Sequence, residues 1–258
     1  MFQYSLLPFF IMSESYRRYE ELRPDELQSF VAETPVALWP LGLLEHHGWH
    51  LPLGFDGIKA ERLCIRLAKE TGGVLLPVMW WGGRGGHGDF LWTFYQSEDA
   101  YSDIISDTVE KLIRFGFKAI VLMAGHYPWQ GTLDEILPPI REANPDVLLL
   151  WGTEVKIGED AVQLAGDHAA LEETSYGLNL LPEFVDMDAM RFGRGDEAWP
   201  GGAAPDFQGR YPELQTDPDH PLFSQLGKDA REATGERVEE GLESLVMHLA
   251  GKITEHVR

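Results

Sequence analysis

The sequence predicts an α/β fold in which a mostly parallel central sheet is covered by helices on both faces, a three-layer α/β/α arrangement. Three observations predict it. Short apolar runs recur at 36–42, 118–124 and 147–151; runs of this kind read as strands buried on both faces. Stretches with helical periodicity lie between them, so strand and helix alternate. The length, 258 residues with 44% hydrophobic content, suits one such domain with a substantial core.

The elements follow in order. Residues 1–17 read as an N-terminal extension and 18–258 as a single domain. The first eleven residues are apolar but too short to span a bilayer, and a second methionine, Met12, precedes Ser13-Glu14-Ser15. After the strand at 36–42, residues 57–71 form a helix closed by Gly72-Gly73. Residues 74–81 read as the next strand, with Pro77 demanding an edge or a bulge. A glycine-rich stretch, 82–88, lacks the Gly-Lys-Ser/Thr of a phosphate loop. Residues 102–115 form an amphipathic helix with Ile104, Ile105, Val109, Leu112 and Ile113 on one face. The strand at 118–124 ends in Gly125-His126. Residues 133–143 are helical and are expected to break at Pro138-Pro139. After the strand at 147–151, a helix is expected to start near His168. Residues 193–221, rich in Gly, Pro and Asp, form a long loop that covers a site or meets a neighbouring subunit. Residues 226–257 close the chain as a long amphipathic helix.

Charge narrows the partners. With 21 Lys and Arg against 42 Asp and Glu, the formal charge is −21. That balance repels phosphate backbones and anionic membranes, so neither nucleic acid nor a membrane is expected. A single cysteine, Cys64, excludes an internal disulfide and a thiolate metal cluster, and its place in a helical stretch reads as a small buried hydrophobe. The chain reads as cytoplasmic.

The chemistry concentrates in Glu45-His46-His47-Gly48-Trp49-His50-Leu51-Pro52, followed by Asp56. Ligand-type residues just past a buried strand are where an open α/β sheet builds its site. In extended chain Glu45 and His47 face one side and His46 the other. Carboxylate and imidazole together suit zinc, manganese or iron(II) rather than calcium. His126 follows another buried strand and falls on the same rim if the strands are parallel. In Asp167-His168-Ala169-Ala170-Leu171-Glu172-Glu173-Thr174-Ser175, His168 and Glu172 share a helix face with Glu173 one step round.

These motifs resemble the creatininase (creatinine amidohydrolase) superfamily. The resemblance rests on Pro40-Leu41-Gly42, the block from Glu45 to Pro52 with Asp56, the Gly125-His126 strand end, and the block from His168 to Ser175, in matching order over about residues 18–250. It implies an α/β/α metal-dependent hydrolase that opens small cyclic or linear amides, often as a hexamer with a two-metal centre. It further implies Glu45, His47, Asp56 and His126 as metal ligands, with Asp56 bridging, and Glu173 at or beside the metals. His168 is implied as the residue that passes a proton to the leaving nitrogen, and His50 as structural. Creatinine hydrolases carry Gly-His-Tyr-Glu-Asn where this chain reads Gly125-His126-Tyr127-Pro128-Trp129. Pro128 offers no ligand atom, so the second metal is left to Glu173 or water, and one or two divalent ions per subunit remain open.

The sequence expectation is therefore an amidohydrolase acting on a small cyclic amide or formamide, with catalytic His168 and Glu173. Zinc is expected first, then manganese or iron. Tyr127, Trp129 and Trp151 are expected to bind substrate, the two indoles by stacking on a flat molecule. A peptidase of a short modified peptide and a non-catalytic, oligomeric metal-binding protein are the competing readings.

Overall fold

A computed structural model of the chain describes residues 15–85, 87–199 and 212–258. Five parallel strands form one sheet: β1 (Tyr16–Arg18), β2 (Val36–Leu41), β3 (Gly73–Leu75), β4 (Ala119–Ala124) and β5 (Leu148–Thr153), in the order β1-β3-β2-β4-β5. The helices are α1 (Pro24–Glu33), α2 (Phe55–Thr71), α3 (Glu98–Arg114), α4 (Trp129–Ala143), α5 (Leu171–Leu180), the short α6 (Gly195–Ala198) and α7 (Glu236–Val257). The α/β/α reading holds.

The strands alternate faces with a period of two, and each face has its own core. Leu38, Val121 and Met123 pack against Leu63 and Leu67 of α2, Tyr176 of α5 and Leu242 of α7. Ala37, Trp39, Ile120 and Leu122 pack on the other side against Ile105 and Val109 of α3 and Leu133 of α4. Because both faces are covered, all six residues of β2 and of β4 are buried, which is why they read as unbroken apolar runs.

Several boundaries differ from expectation, each for a local reason. Residues 74–81 do not form one long strand: β3 stops at Leu75, and the chain returns only as an isolated bridge from Met79 to Leu41. Leu76 still donates to the Leu38 carbonyl, but the next donor to β2 is Met79, to the Pro40 carbonyl, one residue later than a regular ladder places it, so the chain bulges around Pro77. Conversely, Pro138-Pro139 does not break α4. The carbonyls that lose their donors belong to Asp134 and Glu135, both exposed, where water can serve them. The last helix begins at Glu236, ten residues later than expected; Leu226 instead pairs with His168 in an antiparallel bridge. β1 takes in Tyr16 and Arg17 of the expected extension, whose first fourteen residues lie outside the described ones. Residues 200–211 of the expected long loop are likewise outside them. Its described flanks pack Ala198, Leu214 and Phe223 into a small cluster with Phe90, beside His46. Among the described residues, no helix is long and apolar enough to cross a membrane.

Candidate metal centre

β2 and β4 are adjacent, with Leu41 opposite Ala124 at their ends. From this rim the chain leaves β2 toward β3 on one side and leaves β4 toward β5 on the other. A crevice opens where connections part in this way. Glycine lets the start of α2 close against it. A Cβ on Gly42 would stand 2.3 Å from the Gly57 Cα, and one on Gly125 only 1.9 Å from the Asp56 carbonyl oxygen. Asp56, in the first turn of α2, is thus wedged between the two strand ends, with Glu45 and His47 from the β2 loop and His126 from the β4 loop around it. Trp129 pins the β2 loop by donating its indole N–H to the Gly42 carbonyl, 3.0 Å.

Two triads share Asp56. His126 Nδ1 lies 2.9 Å from Glu45 Oε2 and 3.3 Å from Asp56 Oδ2. His47 Nε2 lies 3.1 Å from Asp56 Oδ1 and 3.6 Å from Glu173 Oε2. The imidazoles are oriented from behind by backbone carbonyls: His126 Nε2 donates to Arg84 O at 2.9 Å, and His47 Nδ1 to Glu45 O at 3.1 Å. In a neutral ring the opposite nitrogen then carries the lone pair, and it faces carboxylate oxygens, which are acceptors too. Glu45 Oε2, His47 Nε2 and both Asp56 carboxylate oxygens are buried without a hydrogen-bond partner. Acceptors converging in a buried place require a cation. The donor set fits divalent zinc, manganese or iron, and each triad has its ligand atoms within 4.8 Å of one another.

Electrostatics within the protein alone mirror that demand. Burial would push the His47 imidazole down, but Asp56, Glu173 and Glu45 bring it up to about 9. His126 is likewise held up by Glu45 and Asp56 against its burial. Burial would raise the Asp56 carboxyl, yet His47 and His126 hold it well below the usual range. The His168 ring is held well below its ordinary value by burial and by the neighbouring His87 and His47.

His168 stacks on His87 with ring centroids 3.6 Å apart. Its Nε2 donates to the His46 carbonyl at 3.0 Å, which leaves Nδ1 as the free nitrogen. His87 is anchored in the same way on Ser224 O, 3.2 Å. A backbone turn at Ala169, with φ of +50°, sets His168 just before α5. The Ala169 N–H donates to Glu173 Oε2 at 2.8 Å, tying the two ends of this motif together. Glu45, Asp56, His87, His126, Tyr127, Pro128, His168 and Glu173 all line one pocket of about 430 Å³, with Val155 and Leu226 among its apolar walls.

Not every expected site residue is here. Trp129 is 1% exposed, its ring edge-on to Tyr101 in the sheet core, so it cannot stack on a substrate. Trp151 points elsewhere: its indole donates to Asp134 and lies under the Arg141 guanidinium, away from the pocket. Tyr127 does line the pocket, but its hydroxyl is committed to Glu154 Oε1 at 2.8 Å. His50 bonds Thr174 Oγ1, a structural contact, and Glu172 pairs with Arg237 at the surface. Two residues went unanticipated. Lys59, fully buried on α2, lies 2.9 Å from Glu154 Oε1 and 3.2 Å from Glu173 Oε1. Glu154 directly follows β5 on the same rim as His126, and that placement was the available signal.

Known proteins agree with this architecture. The sequence model of the creatininase family, described as creatinine amidohydrolase, matches residues 20–253. The chain is similar to the creatinine amidohydrolase of Pseudomonas putida, 28% identical over 59% of this chain and 67% of that one. It is also similar to the mycofactocin precursor peptide peptidase of Mycobacterium ulcerans (strain Agy99), 27% identical over 70% and 74%. A crystal structure of creatinine amidohydrolase superposes with a TM-score of 0.69 at 26% identity, over 92% of this chain and 96% of that chain. Other creatininase structures are described as of Zn-Zn type and as Mn creatininase. With the match running nearly end to end and the ligand-type residues gathered at one sheet rim, the chain belongs to the creatininase family of amidohydrolases.

Proposed function

We propose that the protein is a metal-dependent amidohydrolase that cleaves the C–N bond of a small cyclic amide or formamide, with two divalent ions held across Asp56. The observation that carries this reading is the pair of triads with one Asp56 oxygen in each, at the base of a 430 Å³ pocket. Glu45, Asp56 and His126 would hold one ion; His47, Asp56 and Glu173 the other. Glu173 thereby takes the place that Pro128 cannot fill. Divalent ions held by these residues would supply Lewis acidity for the amide carbonyl and an activated water nucleophile at neutral pH.

The protein's own groups do the rest. An amide nitrogen leaves only when protonated, and His168, anchored through Nε2, has Nδ1 available to carry that proton. Neutral at rest because of its surroundings, it can take a proton from the attacking water and deliver it. Glu173 holds the adjoining backbone through Ala169, so ligand and proton carrier stay in fixed relation. Pro128, Val155 and Leu226 give the pocket apolar walls that exclude bulk water. Among the described residues no indole lines this pocket, and its aromatic wall is Tyr127 with the imidazoles of His87 and His168.

A peptidase reading is kept alive by one finding, the similarity to a precursor peptide peptidase over 70% of the chain. Zinc is the first ion to try and manganese the second, since both are named for solved creatininases. The reading carries a cytoplasmic homo-oligomer with it, with the free Cys64 buried in α2. Protein loaded with zinc or manganese should turn over members of a panel of lactams, formamides and short peptides. Hydrolysis of lactams or formamides supports the proposal. Cleavage of peptides alone transfers it to the peptidase reading, and no turnover with metal bound overturns it.

A further inference from the structure

We propose that Lys59 is a positioning residue for the second ion: its ammonium, shared between Glu154 and Glu173, fixes the Glu173 carboxylate so that Oε2 faces His47 and Asp56. This rests on the two-ion reading above and explains how the second triad survives Pro128. Lys59 is 0% exposed, at the foot of α2 one turn beyond Asp56. A buried lysine needs a strong reason to be there. Its Nζ sits 4.7 Å from the Tyr127 ring centroid and 5.5 Å from that of Tyr176, a cage of aromatic faces that leaves the ammonium little freedom. Toward the centre it meets Glu173 Oε1 at 3.2 Å, and on the other side Glu154 Oε1 at 2.9 Å. Glu154 is itself fixed by the Tyr127 hydroxyl at 2.8 Å.

The geometry divides the Glu173 carboxylate. Oε1 belongs to Lys59, while Oε2 takes the Ala169 N–H and looks toward His47 Nε2. Glu173 is thus a one-oxygen ligand held from behind by a charge, as metal-bound histidines are held by carbonyls. Without the ammonium, two buried carboxylates that share it would repel each other, and Glu173 would lose the hold on Oε1. Lys59 hydrogen-bonds Glu154 and Glu173 and reaches Asp56 only through its charge, so the first triad, Glu45, Asp56 and His126, should be affected far less than the second.

Calorimetric titration of metal-free protein with zinc or manganese tests this. Wild type should take up two ions; failure to bind a second refutes the two-ion reading itself, and this proposal with it. Lys59→Met, nearly isosteric and uncharged, should bind the first ion within a few-fold of wild type and the second roughly 10- to 100-fold more weakly. The double variant Lys59→Met/Glu154→Gln removes the ion pair as a pair, and so keeps the fold if the single variant loses it. It should show the same selective loss. Adding Lys59→Met to Glu173→Gln should weaken the second ion no further, because Lys59 acts through Glu173. Second-ion binding equal to wild type in the double variant would show that Lys59 only neutralises Glu154. Equal weakening of both ions, or additivity with Glu173→Gln, would equally overturn the proposal.

Discussion

Asp56 presents Oδ1 to His47 and Oδ2 to His126, and both oxygens are buried without a hydrogen-bond partner. Asp56→Ala should therefore lose both ions, and hydrolysis with them, whereas Glu173→Gln should weaken only one; calorimetry against zinc distinguishes the two. His168→Ala should keep both ions while kcat falls roughly 10²- to 10⁴-fold, since its ring is held by the His46 carbonyl and by stacking on His87 rather than by either triad that shares Asp56. Metal loss in that variant would make His168 a ligand. At this scale the sequence disclosed the residues whose chemistry is carried by local spacing: Glu45 and His47 two apart, Asp56 at a helix start, His126 after a strand. Lys59 was hidden because a lysine on an amphipathic helix ordinarily lies in solvent. Its burial is visible only once Glu154 and Glu173, distant in the chain, fold against it. Trp129 and Trp151 misled for the opposite reason: an indole beside a strand end fits a pocket or a core equally well.

The ends of β2 and β4 and the first turn of α2 approach so closely that glycine is required at the contacts. Gly125→Ala would drive a Cβ into the Asp56 carbonyl. It should cost about 1–3 kcal/mol of stability and weaken metal binding together, because the displaced backbone carries Asp56. Thermal unfolding with and without zinc checks this; an unchanged midpoint and full zinc binding would contradict the close approach. The interior strands were legible because burial on both faces leaves no alternation to confuse. β1 was not, since Tyr16-Arg17-Arg18 has no apolar run to mark a strand, and its pairing with β3 appears only in the fold. α1 had a usable signal, Pro24 in its first turn followed by Asp25 and Glu26. Pro77 and Pro138-Pro139 show that the effect of a proline depends on its surroundings: beside β2 it sits in a bulge that interrupts the strand, and on a wet helix face it leaves the helix intact.

Across the whole molecule, the buried charges predict how metal-free protein responds to pH. His47 is raised from 6.5 to about 9, so its contribution to stability is complete below pH 6.5 and is lost as pH rises through 9. Asp56 and Glu45 are lowered, so their contributions are present above their ordinary values of 3.8 and 4.5 and are lost on acidification. The melting temperature of metal-free protein should therefore fall from pH 6.5 to 9, and zinc, by replacing the His47 proton, should flatten that fall. A metal-free protein equally stable across this window would contradict the charge assignment. The central claim, two ions bridged by Asp56, is met most directly by anomalous diffraction from crystals grown with zinc. The expected result is two peaks per chain, one among Glu45 Oε2, Asp56 Oδ2 and His126 Nδ1, the other among His47 Nε2, Asp56 Oδ1 and Glu173 Oε2. A single peak, or zinc bound away from Asp56, would contradict it.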